Sequence, residues 1–202
     1  MAKDGAGPQF TGEEVAAIVA TAKGYGMITA AHAHGAEGMK RAVLAGITTI
    51  EHGTLMSEEV MDLMIEKGTY LVATISAGET VMRLAKQPGY FPAVIVPKAL
   101  AVGPQSKKTF QKAFEKGVKI AFGTDAGVFP HGDNAQEFIH MTDVGMPAIN
   151  AILSATQVAA EALNELDKIG TIEVGKMADI IATDDNPVDN IETMLKVSFV
   201  MK

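Results

Sequence analysis

The sequence predicts a parallel α/β fold in which strands alternate with covering helices, and three observations predict it. A weak internal repeat runs through "AKGYGMITAAH", "VLAGITTIEHG", "IEKGTYLVAT" and "FEKGVKIAFGTD". Each copy ends a helical pattern, places Gly at the break and continues into apolar or β-branched residues. Gly at that point suits the left-handed position that closes a helix. The runs after the break are near-continuously apolar, as strands covered on both faces are. The stretches between them carry apolar residues at helical spacing, and such alternation means parallel strands.

The elements follow in order. Thr11 with Glu14 three residues on makes a capping box ahead of "VAAIVATAKGYG". A second helix spans residues 35–45, with Met39, Ala42 and Val43 on one face. Ser57 can cap "EEVMDLMIEKG", whose Val60, Leu63, Met64 and Lys67 fall at amphipathic spacing. An insertion at residues 76–116 holds Pro88, Pro92, Pro97 and Pro104, so a loop and one or two helices are expected there. Helical patterns return at 135–144 and 147–163, the second with Pro in its first turn. From Gly170 the chain changes to short β-like runs and turn residues, a separate small β element.

Composition narrows the function. The chain has 202 residues, 48% of them apolar, the size of one domain or one domain with a small appendage. A net charge of -7 and no Lys/Arg cluster argue against a nucleic-acid surface. Cysteine is absent, which removes disulfides, thiolate nucleophiles and thiolate metal sites. Any metal must be held by His, Asp or Glu, suited to Zn, Mn, Fe or Co. The longest apolar runs stop short of a membrane span, and "MAKDGAGPQF" lacks the apolar core of a signal peptide. Taken as it stands, the chain reads as cytoplasmic.

Parallel α/β sheets bind ligands where their strands end. Three of the four expected strand ends present His32, His52 and Asp125, and the remaining one, "YLVATIS", offers Thr74 and Ser76. His32 and His34 point the same way along a strand. His52 follows Thr48 and Ile50, with Glu51 on the helix side. A lone strand-end His is more often structural than functional, but packing alone does not require a cluster at one edge. Gly123 and Gly127 let the backbone pass close to whatever Asp125 binds. His131, in the loop "FPHGDN", is a candidate substrate contact or a turn-stabilising side chain. Glu51 reads as a rim carboxylate, His140 as a helix histidine, and the methionines as core filler.

"AAHAHGAEGMKRAVLAGITTIEHG", "GTDAGVFPHG" and "GTIEVGKMADII", in that order, resemble the second half of a metal-dependent amidohydrolase. The nearest branch is the imidazolonepropionase-like and Xaa-Pro dipeptidase-like enzymes. The resemblance implies strands five to eight of a (β/α)8 barrel over residues 1–169. Residues 170–202 then form a β segment of a small flanking sandwich. It makes His32 the fifth-strand metal ligand, His52 the sixth-strand ligand and Asp125 the eighth-strand Asp. No first-strand H-x-H pair or fourth-strand Lys precedes them, so a missing N-terminal barrel half is expected.

The activity implied is hydrolysis of an amide, peptide or cyclic amide bond in a small substrate. One or two divalent ions, Zn first, supply the water, with Asp125 as general acid/base. His34, Arg41 and His131 are the candidates for gripping a substrate carboxylate. With two His and one Asp, the isolated chain is expected to bind metal weakly and turn over little. Unpaired outer strands predict self-association or another polypeptide as partner, with no nucleic acid and no membrane. The alternatives are a non-catalytic barrel fragment that self-associates and a metal-free phosphate-binding half-barrel. An acid in "GTDAG" would repel phosphate and opposes the latter.

Overall fold

Thr11 starts the ordered architecture as the sequence directs. The computed structural model describes residues 6–202, so the reading of the first ten residues falls partly outside the described residues. The Thr11 hydroxyl accepts from the Glu14 amide at 3.2 Å, and the Glu14 carboxylate accepts from the Thr11 amide at 2.8 Å. This reciprocal cap opens α1 (Gly12–Gly24). The chain divides into two compact units, Met1–Ala73 with Pro104–Ile120, and Thr74–Gly103 with Ala121–Lys202. Residues 170–202 fall within the second unit.

The first unit holds the parallel sheet. Its strands are β1 (Ala30–Gly35), β2 (Thr49–Leu55) and β3 (Tyr70–Val72), joined in that order. Between them lie α2 (Ala36–Ala45) and α3 (Glu58–Lys67). Ser57 caps α3 through the Val60 amide, while Gly46 and Gly68 end the two helices at φ 90° and 73°. Those angles are left-handed, which explains the glycine repeated at each helix-to-strand break. Met39, Val43, Ile50, Val60, Met61, Met64, Leu71 and Phe110 are the core, each at most 1% exposed. Burying one such side chain is worth roughly 1.5–3 kcal/mol.

The fourth expected strand shrinks to a single parallel bridge, Leu71 to Ile120. Beyond it the Phe122 amide bonds the Ser154 carbonyl at 2.9 Å, and its ring lies 4.4 Å from Phe138.

In the second unit, α4 (Ile75–Ala85) is followed by turns containing Pro88 and Pro92. The following helix, α5 (Val96–Lys116), contributes residues to both units. Pro97 sits in its first turn, where the missing N–H costs nothing, yet Pro104 lies inside the helix without ending it. Next come α6 (Gln136–Asp143), α7 (Ala148–Ala155) and α8 (Gln157–Ala162). The single helix expected at 147–163 is thus two, broken at Thr156 (φ -122°, ψ -93°), whose hydroxyl turns back on the Ile152 carbonyl at 2.9 Å. The tail forms an antiparallel pair, β4 (Ile180–Thr183) and β5 (Val197–Met201), with a 3-10 turn at Ile191–Leu195. Among the described residues no helix is long and apolar enough to cross a membrane.

Glu137 anchors this unit. It is 0% exposed, and its two oxygens accept from the Ile75 and Ser76 amides at 2.8 and 2.7 Å. Thr74, the N-cap of α4, makes no side-chain cap of its own, so the carboxyl of α6 does that work. Burial pushes the Glu137 carboxyl above its ordinary value, against the bonds from Ser76 and Ile75 that favour the anion. The folded chain therefore holds this proton more tightly than the unfolded chain. The associated stability is complete at low pH and declines as pH rises from the ordinary carboxylate value through the raised one. Glu137→Gln, with one oxygen for two amides, is expected to lose about 1–3 kcal/mol. Urea unfolding across the acid-to-neutral range should show that loss, and the variant should lack the decline.

Candidate metal centre

β1 carries His32 and His34 on one face, and their ring centroids lie 4.7 Å apart. β2 reaches the same place by an irregularity. Ala33 pairs with His52, but Gly35 pairs with Leu55, so β2 uses one residue more than β1 over the same span. Such a bulge re-aims a side chain. Here it falls at His52, whose φ of 72° is left-handed, followed by Gly53 at 62°.

Strict alternation along β2 is thereby broken, and His52 does not simply continue the face of Thr48 and Ile50. Its ring comes to 4.5 Å from His32 and 4.9 Å from His34, stacked on the latter at 19°. One ligand atom from each of the three rings lies within 4.8 Å of the other two.

The structure therefore brings His32 and His52 together as expected, and adds His34 to them. His34 Nδ1 shares a 2.9 Å hydrogen bond with Thr54 Oγ1. Thr54 is 2% exposed, and its carbonyl accepts from the Thr109 hydroxyl at 2.7 Å. The donor set is all imidazole nitrogen, a good match for Zn and its neighbours in the first transition row. A partner on the second ring nitrogen is the usual support of a metal-bound histidine. The residues present thus fit a divalent transition ion.

Asp125 lies in the other unit and is exposed. Its φ is 56°, and Thr74 is at 52°. Among the described residues, His52, Thr74 and Asp125 are three of the four non-glycine residues with positive φ, Asn164 being the other. Each such conformation costs on the order of 1–3 kcal/mol and persists where the surroundings impose it. All three lie where an expected strand ends. Thr124, just before Asp125, accepts a hydrogen bond from Asn134 Nδ2 at 3.0 Å, while Asn134 Oδ1 accepts from the Gly132 amide at 3.1 Å. One amide side chain thus ties the Asp125 turn to the turn carrying His131, itself exposed.

Arg41 is engaged elsewhere, donating to Glu37 Oε1 and to the Phe10 carbonyl, both at 2.8 Å. Glu51 accepts from the Thr49 hydroxyl, and His140 lies on α6, half-buried. Sequence reading missed Thr54, Asn134 and Glu137. The H-x-H spacing was the signal for His34, since period-two geometry already put it beside His32.

The amidohydrolase family profile matches residues 1–202. The chain belongs to the amidohydrolase family. Ochratoxinase from Aspergillus niger is 35% identical over 186 residues, which is 91% of this chain and 38% of that protein. A Xaa-Pro dipeptidase crystallised with methionine in its active site is 58% identical, with a TM-score of 0.94 over 96% of this chain and 48% of that one. A prolidase crystallised with N-methylphosphonate-L-proline is 31% identical, with a TM-score of 0.87 over the same shares. The chain spans 38% and 48% of the first two relatives' lengths. Membership of the amidohydrolase family, read from "AAHAHGAEGMKRAVLAGITTIEHG", "GTDAGVFPHG" and "GTIEVGKMADII", is thereby shown.

Gly53 tests the bulge. A Cβ there would stand 2.7 Å from Leu71 Cδ1 and 2.9 Å from Met56 Cε. These are flexible ends that can move, so the backbone angle is the larger cost. Gly53→Ala is expected to lower stability by about 1–2 kcal/mol, measured by urea unfolding.

Proposed function

We propose that the chain carries strands five to eight of a (β/α)8 metallo-hydrolase barrel in residues 1–169, with residues 170–202 belonging to a flanking β domain. Its reaction is hydrolysis of a C–N bond (amide, peptide or cyclic amide) in a small substrate. The observation that carries this reading is the meeting of three imidazoles at the ends of adjacent parallel strands. The Xaa-Pro dipeptidase among the relatives supports a dipeptide-like substrate, with an amide near a free carboxylate.

His32 and His52 would hold a divalent ion, Zn being the first candidate, with Asp125 as a further ligand. Such an ion, when bound, lowers the pKa of a water from about 15.7 to about 7 and polarises a carbonyl. Asp125 accepts the proton of the attacking water and delivers it to the departing amine, so that no free amide anion has to leave. Its exposed carboxylate, fixed by a left-handed backbone, suits a group that must both take and give a proton. His131 offers a donor to the substrate carboxylate. Arg41 would have to leave Glu37 and the Phe10 carbonyl to share that task.

Dipeptides ending in proline and N-acyl amino acids are the substrates to assay. Little turnover is expected of this chain alone, and what there is should vanish with a chelator and return with Zn or Mn. Asp125→Asn should lower the rate by about 10²–10⁴. A rate that persists in chelator, or in Asp125→Asn, overturns the reading.

The β1 edge makes a second demand. Among the described residues β1 is an outer strand of the sheet, next to β2 alone. Parallel edges of this kind recruit another strand. We expect self-association, or pairing with a second polypeptide, and light scattering should give a mass above the 21.2 kDa of one chain.

A further inference from the structure

The chain is acidic as a whole, with 17 cations against 24 carboxylates, yet one stretch reverses that balance. Between Glu79 and Glu115 stand Arg83, Lys86, Lys98, Lys107, Lys108 and Lys112, with no Asp or Glu among them. They are spread too widely to form a Lys/Arg cluster. In their midst "QPGYFPAVIVP", residues 87–97, holds no charge at all. We propose that this uncharged tip and its flanking cations, Arg83, Lys86 and Lys98, bind the surface of an anionic phospholipid leaflet.

Three observations within the second unit carry it. First, α4 and the start of α5 form a closed hairpin. A Cβ at Gly103 would stand 3.0 Å from Met82 Cβ and 3.4 Å from the Gly78 carbonyl oxygen, so the two helices meet closely. Their link is two hydrogen-bonded turns, with the Tyr90 amide on the Gln87 carbonyl at 3.2 Å and the Ile95 amide on the Pro92 carbonyl at 2.8 Å. Such turns ordinarily carry polar side chains. These present Tyr90, Val94 and Ile95, which are 54%, 78% and 44% exposed. Apolar residues scattered singly over a surface need no explanation, but a set of them on one short tip does.

The second observation is the charge beside the tip. Arg83, Lys86 and Lys98 are exposed, and among the described residues none of them has an ion-pair partner. The third is the place of Lys98, in the first turn of α5, where it works against the helix dipole. No other described α-helix has a cation among its first four residues.

An interfacial contact uses both parts of this surface. Apolar side chains enter the boundary between headgroups and acyl chains, while Lys and Arg reach the phosphates from either side. An acidic protein would use the cations but not Val94, the most exposed apolar side chain of the tip. A leaflet contact needs no spanning helix, and the expectation of no membrane rests on spanning length alone.

The test uses the whole chain with phosphatidylcholine vesicles, plain or containing phosphatidylserine. The sequence has no Trp, so Tyr90→Trp places one indole at the tip. Its emission should shift to the blue and lose accessibility to acrylamide with the serine lipid, and stay unchanged with plain vesicles. In co-sedimentation, Lys86→Ala and Lys98→Ala should each weaken binding about fivefold, and Val94→Asp about tenfold. Lys23→Ala, which removes an exposed cation of α1, should bind as the parent does. Circular dichroism checks that each variant folds, and if Val94→Asp does not, the lysine variants and the fluorescence decide.

No binding, equal binding to plain vesicles, or binding that leaves the tip indole open to acrylamide overturns the proposal. A blue shift that grows with protein concentration in the absence of lipid overturns it too, and assigns the tip to a second copy of the chain. The hydrolase reading turns on other residues and keeps its own test in chelator-sensitive cleavage.

Discussion

Two parallel strands of unequal length span the same distance, and the site depends on that mismatch. β1 goes from Ala33 to Gly35 while β2 goes from His52 to Leu55. The additional residue must be absorbed somewhere, and it is absorbed as left-handed backbone at His52 and Gly53. Without the bulge, alternation would set His52 by its parity with Ile50, which is fully buried. The irregularity turns an ordinary buried strand into one whose last imidazole can meet two others.

Within each unit, strain and support occur together. His52 is held by the ladder to β1, and a side chain at Gly53 would run into Leu71 and Met56. Thr74, β-branched and left-handed, is followed by amides fixed on the buried Glu137 carboxyl. Asp125 follows Thr124, which Asn134 holds. In each case an unfavourable backbone angle stands beside a buried or bonded group that imposes it. Strained residues with such support are what a preorganised site consists of, and the polar groups involved are ones that core packing alone would not select.

How far the sequence discloses this depends on the range of the interactions. The Thr11–Glu14 cap, the Ser57 cap and the glycines at 46 and 68 are settled within a few residues, and their helices start and stop where local chemistry places them. The order of the three parallel strands follows from the repeat. Pro104 is different, since a proline read locally ends a helix, yet α5 continues through it. Where the fourth strand was expected, the chain forms one bridge at Ile120, and the Phe122 amide bonds Ser154, 32 positions along the chain. Glu137 lies 61 and 62 residues from the amides it binds, and no spacing rule reaches that far. His34 was legible as a neighbour of His32, but the buried hydroxyl that orients it comes from the next strand and was not.

The methionine-filled interior has a consequence for how the chain meets oxidants. With twelve methionines and no cysteine, thioethers are its only sulfur targets. Met27 and Met177 are 65% and 58% exposed, whereas Met39, Met61, Met64 and Met141 are at most 1% exposed. Peroxide would convert the outer pair to sulfoxides with little effect on packing. The inner four become reachable only when the protein opens, and a sulfoxide formed there brings an additional polar oxygen into closely packed surroundings. Oxidative ageing would then begin harmlessly at the periphery and turn damaging with the first breach of the interior.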